Sequence, residues 1–262
     1  MERRATRILL GLWVALVLAF LFVPILLIAL YAFNASNVQS WPIRGLSLQW
    51  FPATWANGEV RAALWLSIRA GLIATALAVI LGTGAAFAVH RYRFPGRDAL
   101  SFGVVLPIAL PGIITGMALN SFFVFWGMQL SFWTIVIGHA TFCIVIVYNN
   151  VLARLRRVPR SLTEASMDLG AGPWMTFRRV TFPAISTALI AGALLAFALS
   201  FDEVIVTTFT AGAQNTLPLW IFGAIRLGQE LPEVNVIVLV VLALTAVPVW
   251  LAYRVTMDPD GR

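Results

Sequence analysis

Long apolar runs separated by short polar segments dominate this chain. The first run, Ile8–Phe33, carries no charged side chain and exceeds the roughly 20 residues that a helix needs to cross the hydrocarbon core of a bilayer. It is also longer than the apolar core of a signal peptide, so we interpret it as an uncleaved span. By the same criterion the sequence predicts six membrane-spanning helices: Ile8–Phe33, Ala70–Val89, two helices between Asp98 and Arg154 joined by a tight turn around Gly127, Val180–Phe201 and Val234–Tyr253.

Composition excludes a water-soluble domain. Hydrophobic residues make up 60% of the 262 residues and charged residues 11%, too few to cover the surface of a soluble fold. The formal net charge is +7, and the basic residues are all arginines that cluster at the ends of apolar runs, which indicates membrane orientation rather than nucleic-acid binding. Placing both termini in the cytoplasm puts every arginine inside except Arg44, Arg61, Arg69 and Arg226.

Two aromatic segments are expected on the outer side. Asn34–Glu59 contains Trp41, Trp50 and Trp55, a composition typical of a short segment at headgroup level, and Thr216–Leu227 is a second candidate. No linker or internal repeat divides the chain, so residues 1–262 are interpreted as a single all-α transmembrane domain.

The charged loop at residues 158–183 carries strong helix signals. Ser161-Leu162-Thr163-Glu164 matches a capping box, which predicts a helix over Leu162–Leu169. Gly170 is expected to end that helix and Pro173 to begin another. The loop is therefore predicted to form a helix–turn–helix knob, a shape suited to a cleft in a partner protein.

The same loop resembles the coupling loop of binding-protein-dependent ABC importers. Glu164-Ala165-Ser166 is similar to that family's Glu-Ala-Ala triplet, Gly170 follows at the family's spacing, and Val180-Thr181-Phe182-Pro183 is similar to its Ile-x-Leu-Pro. Ser166 and Phe182 depart conservatively from the pattern. The resemblance implies the type I importer permease fold with six transmembrane helices, in which the ATPase is contacted by Glu164, Ala165, Ser166, Asp168, Gly170 and Pro183.

The resemblance also implies partners and location. They are a dimer of ATPase subunits, a second homologous permease and a periplasmic or lipid-anchored substrate-binding protein, all at the bacterial inner membrane. This chain is expected to bind no cofactor, since ATP and Mg belong to the partner ATPase.

It has no phosphate-binding loop, zinc-protease motif or nucleophile elbow, so we do not expect an enzyme. A secondary transporter is the alternative outside this family; it would usually be larger and carry paired repeats.

An acidic pair, Asp202-Glu203, lies near the far end of the fifth predicted span. A carboxylate within the bilayer should face a partner or a watery cavity. If the helix continues, Ser200, Glu203 and Thr207 share one polar face with Thr210. The pair is thus a candidate for the substrate pathway together with Ser200 and Thr207; an ordinary helix end at the interface is the alternative.

Much of the chain resembles the second permease subunit of spermidine/putrescine importers. The stretches concerned are Leu199–Glu203, Phe209-Thr210, Thr216–Pro218, Pro232–Asn235, Leu106–Pro111 and His139–Cys143. The resemblance implies that Asp202 and Glu203 help to pass a polyamine, a chain of ammonium groups that carboxylates and aromatic faces would attract. Many such permeases have Asp-Asp at this pair, so 4-aminobutyrate, opine-like compounds and other small organic solutes are alternatives.

Three further residues have structural interpretations. His139 has no second ligand at helical spacing, which favours a hydrogen bond to a neighbouring helix over a metal site. Pro107 and Pro111 are expected to kink or break the third span, either for packing or around a pathway. Aromatic candidates for the pathway are Phe122, Phe125, Trp126 and Tyr148.

Overall fold

A computed structural model describes residues 4–257 of the chain, with side-chain surroundings up to residue 245. Within that range the regular structure is helical, apart from a single β-bridge between Asn34 and Leu46. The helices are α1 (Arg4–Ala32), α2 (Trp50–Ala56), α3 (Gly58–Arg91), α4 (Arg97–Ala109), α5 (Gly112–Phe125), α6 (Phe132–Leu155), α7 (Arg160–Asp168), α8 (Pro173–Thr176), α9 (Phe182–Phe201), α10 (Ile205–Thr210), α11 (Leu217–Leu227) and α12 (Leu231–Met257), with a π-helical turn at Phe177–Thr181 before α9.

The all-α membrane fold is confirmed. Four described helical segments are long and apolar enough to cross a membrane, and α4 with α5 makes a fifth if that bent pair is one span. The sixth predicted span, Val234–Tyr253, lies within α12. A count of six spans stays a prediction, since the side chains after residue 245 are not described. The predicted cytoplasmic residues Arg3 and Arg262 lie outside the described residues.

The described chain divides into two compact units, one of residues up to 61 and from 221 onward, the other of residues 62–220. In the first unit α1 and α2 pack along α12. Between α1 and α2 the indole Nε1 of Trp50 donates to the Asn34 carbonyl over 2.8 Å. The aromatic segments predicted outside contain α2 and α11. The interpretation of residues 1–262 as one domain stays a prediction.

Carboxylates gather in the first unit where α12 begins. The Asn57 side-chain amide donates to Glu233 over 2.7 Å, and Glu230 precedes α12 with a left-handed φ of 54°. Burial, and then the neighbouring carboxylates of Glu233 and Glu59, raise the pKa of Glu230, against a lowering by the Asn57 hydrogen bond. These carboxylates are close together because the turn between α2 and α3 packs against the start of α12.

Helix α6 is the centre of the second unit. The most apolar stretch of α6 is 67% buried, whereas the corresponding stretch is 33% buried in α3 and 22% buried in the segment that ends in α9. Helix α3 faces the core with small buried residues spaced four apart, namely Ala70, Ala74, Ala78, Gly82 and Ala86. A Cβ at Gly82 would lie 2.8 Å from the Ile144 carbonyl oxygen and 3.1 Å from the Tyr148 nitrogen. The two backbones therefore touch where a side chain on α3 would not fit.

The third predicted span is broken rather than straight. Helices α4 and α5 meet at an angle of 110°, and Pro111, the residue before α5, has an extended ψ of 135°. Pro111 has no backbone N–H to continue α4, which explains why the helix ends there. Pro107 is accommodated inside α4. The predicted effect of the prolines is thus confirmed as a break at Leu110-Pro111.

A second break interrupts the chain after α9. Helix α9 ends at Phe201, and α10 starts only at Ile205. The assumption that the helix continues from Ser200 through Thr210 is therefore wrong. The Glu203 carboxylate accepts the backbone N–H of Val206 over 2.8 Å. This hydrogen bond satisfies one of the N–H groups in the first turn of α10 that have no partner within the helix.

Candidate functional site

The 158–183 loop forms the predicted knob. Helix α7 ends at Asp168, and Gly170 has a φ of +84°. The Gly170 N–H donates to the Met167 carbonyl and the Ala171 N–H to the Ser166 carbonyl, the hydrogen-bond pair of a Schellman motif. Gly170 is required here because other residues rarely adopt this left-handed conformation. The chain then enters α8 at Pro173, as predicted.

The capping box at the start of the knob is wrong. Helix α7 begins at Arg160, with Pro159 in the N-cap position and no side-chain cap hydrogen bond. The extended ψ of 134° at Pro159 lets the helix start directly after it, so Ser161 already lies inside the first turn. The Leu162 N–H donates to the Pro159 carbonyl instead.

Five of the six predicted coupling residues lie on α7 or in the turn that follows it. Glu164, Ala165, Asp168 and Gly170 are exposed, whereas Ser166 is half-buried. The Ser166 hydroxyl lies 3.1 Å from that of Thr176, joining α7 to α8 at the position that departs from the family triplet. Pro183 is exposed in the first turn of α9. Beside these polar groups the knob exposes large apolar side chains, with Leu169 at 89% and Trp174 at 71% exposure.

The second site surrounds the two helix breaks. A cavity of about 150 Å³ lies between them. Leu110 and Gly112 from the first break and Glu203 from the second all line it. Irregular backbone within a membrane is tolerated where it is buried in protein or lines a cavity, so both breaks belong to one site. Its remaining lining residues are Pro107, Ile108, Thr115, Phe142, Leu199 and Val206.

A buried histidine is hydrogen-bonded to the helices on both sides of the second break. His139 Nδ1 lies 2.7 Å from the Ser200 hydroxyl, and Nε2 lies 2.8 Å from that of Thr207. Thr207 donates its own proton to the Glu203 carbonyl over 2.6 Å, so it must accept from Nε2–H. This assigns the tautomer: Ser200 donates to Nδ1, and the hydrogen-bond chain runs through the ring to Glu203. The structural interpretation of His139 is confirmed.

The structure separates the predicted pathway residues. Glu203 is half-buried in the cavity wall, and Asp202 is exposed. Ser200 and Thr207 are buried against His139, and their role in the pathway stays a prediction. Among the aromatic candidates, Phe122, Phe125 and Trp126 are exposed and Tyr148 is buried beside the Ser101 hydroxyl.

Sequence reasoning gave no pathway role to Phe142, Thr115 or Val206, which all line the cavity. Phe142 follows His139 by one helical turn, a spacing that could have indicated it. Thr115 follows Pro111 by four residues, but nothing in the sequence distinguishes it from other helical threonines.

The comparisons with known proteins agree with this geometry. The family described as "Binding-protein-dependent transport system inner membrane component" matches residues 78–256. This chain belongs to that family, and it is a multi-pass inner-membrane transport protein. It is 35% identical over 243 residues to the putrescine transport system permease protein PotI of Escherichia coli K12, covering 89% of this chain and 85% of that protein. It is 32% identical to the spermidine/putrescine transport system permease protein PotC of Haemophilus influenzae, covering 92% and 93%.

Solved structures support the fold. A bacterial ABC transporter involved in the import of the acidic polysaccharide alginate matches 99% of both chains with a TM-score of 0.71 at 16% identity. An inward-facing structure of the MetNI methionine ABC transporter matches 77% of this chain and 94% of that chain with a TM-score of 0.61 at 20% identity. At these identities the likeness establishes the permease fold of ABC importers and leaves the transported compound to the site itself.

Proposed function

We propose that this chain is one permease subunit of an ATP-driven importer and that its knob couples it to a separate ATPase. The observation that carries this proposal is the exposed knob between α6 and α9. Its first helix ends at the left-handed Gly170, and it exposes Leu169 and Trp174 as well as the carboxylates of Glu164 and Asp168. Exposed apolar side chains accompanied by charged ones are suited to docking in a protein cleft.

The arginine distribution supports the orientation. With both termini in the cytoplasm, the knob and its flanking Arg154, Arg156 and Arg157 are cytoplasmic. The complete importer then contains two ATPase subunits, a second permease and a substrate-binding protein on the outer side. ATP and Mg are bound by the ATPase subunits, and this chain contributes the pathway and the coupling surface.

The proposed cargo is a polyamine such as putrescine or spermidine. Two relatives above 30% identity carry those names. The cavity adds a physical reason: it places the Glu203 carboxylate among apolar walls, where a carboxylate attracts a cation more strongly than in water. Phe142 adds an aromatic ring to the same wall, and such rings attract ammonium groups.

One uptake experiment tests both the coupling role of the knob and the polyamine cargo. The gene is deleted in its host and complemented with wild type, with Glu164→Lys or with Glu59→Lys, and uptake of radiolabelled putrescine, spermidine and 4-aminobutyrate is measured. Copurification of an ATPase with the tagged chain is measured in parallel. Glu59 is the matched control because it is an exposed carboxylate expected on the outer side.

We expect the deletion to abolish polyamine uptake and wild type to restore it. Glu164→Lys should lower both uptake and ATPase copurification, whereas Glu59→Lys should leave copurification unchanged. Loss of 4-aminobutyrate uptake alone would contradict the polyamine assignment. Full copurification and full uptake with Glu164→Lys would contradict the role of the knob.

A further inference from the structure

A continuous helical segment joins the knob to the membrane helices. Helix α8 of the knob, the π-helical turn at Phe177–Thr181 and α9 form one segment, Pro173–Phe201. In the π-helical turn the Phe182 N–H donates to the Phe177 carbonyl, five residues earlier. Pro183 has no N–H to continue an α-helical hydrogen-bond pattern here, which gives a local reason for the wider turn. Such turns are rare and are frequently found at functional sites.

Phe177, the first residue of this turn, contacts rings from three helices. Its ring is half-buried and lies 5.6 Å from that of Trp174 in α8, in a stacked arrangement. It also lies 5.8 Å from the ring of Phe87 in α3 and 6.1 Å from that of Phe182 in α9. Aromatic rings attract one another at centroid distances of about 4.5–7 Å. One side chain thus joins the knob to the helix that leaves it and to a helix distant in sequence.

The two contacts outside the knob lead to the core and to the cavity. Phe87 packs against a buried cluster that includes Val147 and Val151 of α6. Helix α9 packs along α6, and its Leu199 lines the cavity between the two breaks. Close-packed protein interiors transmit strain because they contain few voids. A displacement of the Phe177 ring would therefore reach both the core and the cavity wall.

The residues next to Phe177 have different surroundings. Met175, Arg178 and Arg179 are exposed. Thr176 is buried, but its hydroxyl is hydrogen-bonded within the knob. Phe177 differs from them by combining partial burial with a ring contact to α3.

We propose that Phe177 is a positioning residue for coupling, whose ring transmits movement of the ATPase-bound knob to α3 through Phe87 and to α9 through Phe182. Without the ring, the knob still docks through its exposed surface, and ATP hydrolysis continues while the pathway no longer follows it. This inference rests on the proposed coupling role of the knob. It extends that role from the docking surface to the side chain that joins the surface to the membrane helices.

The test uses the purified importer complex with its ATPase, reconstituted in liposomes together with its binding protein. Uptake of radiolabelled putrescine and hydrolysis of ATP are measured on the same vesicles. Copurification of the ATPase and the melting temperature are measured on the same preparations. The variants are Phe177→Ala, Phe177→Tyr, which keeps the ring, Phe87→Ala, which removes one of the contacts from the other side, and the double variant of the two alanine changes.

Phe132→Ala is the matched control. Phe132 is likewise half-buried and in contact with another ring, that of Trp133 at 5.4 Å. It lies at the start of α6, the opposite end of that helix from the knob. Its loss therefore reports what the removal of a ring does to stability without touching the knob.

We expect every variant to copurify with the ATPase. The putrescine moved per ATP hydrolysed should fall about 2- to 30-fold in Phe177→Ala, the range expected for the loss of a residue that couples two sites. Phe87→Ala should lower the same ratio, and the double variant should be no worse than Phe177→Ala, because the two changes remove one shared contact. Phe177→Tyr and Phe132→Ala should keep the wild-type ratio.

An unchanged ratio in Phe177→Ala with the ATPase bound would overturn this inference and leave the coupling role of the knob intact. An equal fall in Phe132→Ala would also overturn it, since the effect would then come from general destabilisation. Loss of the ATPase from Phe177→Ala would overturn it too, because the ring would then serve docking. If Phe177→Ala does not fold, an unchanged ratio in Phe87→Ala decides against the inference. A wild-type complex that retains no ATPase or moves no putrescine would remove the proposed function itself.

Discussion

Replacing Thr207 with Val tests the hydrogen-bond chain that holds the second break. Valine has nearly the shape of threonine, so the change removes the hydroxyl with little effect on packing. Two hydrogen bonds disappear: the one from His139 Nε2, at 2.8 Å, and the one to the Glu203 carbonyl, at 2.6 Å. Thr207 is fully buried, so water cannot replace the lost partner.

The magnitude follows from these two losses. Leaving a buried donor unsatisfied costs about 1–3 kcal/mol in soluble proteins. Measured hydrogen bonds between membrane helices average only about 0.6 kcal/mol. Two such bonds give a destabilisation of about 1–2 kcal/mol, which corresponds to a melting temperature lower by roughly 2–8 °C for a chain of this size.

Thr208→Val is the matched control. Thr208 is the next residue on α10 and donates to the Val204 carbonyl over 2.8 Å, but it is exposed and does not contact His139. Its change should lower the melting temperature by less than about 2 °C. The assay is thermal unfolding of the purified complex, followed by tryptophan fluorescence. Equal shifts for the two variants would show that the His139 chain contributes no stability and would refute this reasoning.

Two further predictions concern helix packing and topology. Gly82→Ala should destabilise the protein by about 1–3 kcal/mol because the new Cβ meets the α6 backbone, whereas Gly84→Ala, with nothing within 4 Å, should be neutral or slightly stabilising; thermal unfolding compares them, and equal effects would contradict the close approach of α3 to α6. In a Cys143→Ser background, a cysteine at Asn57 should react with an impermeant thiol reagent from outside and one at Ser161 only after the membrane is opened; the reverse pattern would overturn the proposed orientation.

Local signals in the sequence were sufficient for much of the fold. Uncharged runs near 20 residues long located the membrane helices, because helix length and bilayer thickness are fixed quantities. Gly170 and Pro173 located the end of α7 and the start of α8, since each acts through its own backbone preference. Pro111 marked the first break for the same reason.

The capping box and the continuous helix after Ser200 were wrong for a shared reason. In each case the sequence pattern was compatible with a second local hydrogen-bonding arrangement, and the protein adopts that one. Helix α7 begins at Arg160, so Ser161 lies inside its first turn, and after α9 ends the Glu203 carboxylate accepts the N–H of Val206 in α10. Sequence spacing cannot show which of two local hydrogen-bonding arrangements is the more stable.

By itself, the sequence determined that this protein is a helical membrane protein with a knob resembling an importer's coupling loop. Its class follows from hydrophobic runs, arginine placement and a motif of fixed spacing, all of which act over short stretches of chain. The tertiary structure alone decided that the two breaks meet at one cavity, that Thr115 and Glu203 both line it, and that His139 joins Ser200 to Thr207. These contacts join residues 60 to 90 positions apart in the numbering, and only the packing of α5, α6, α9 and α10 against one another brings them together.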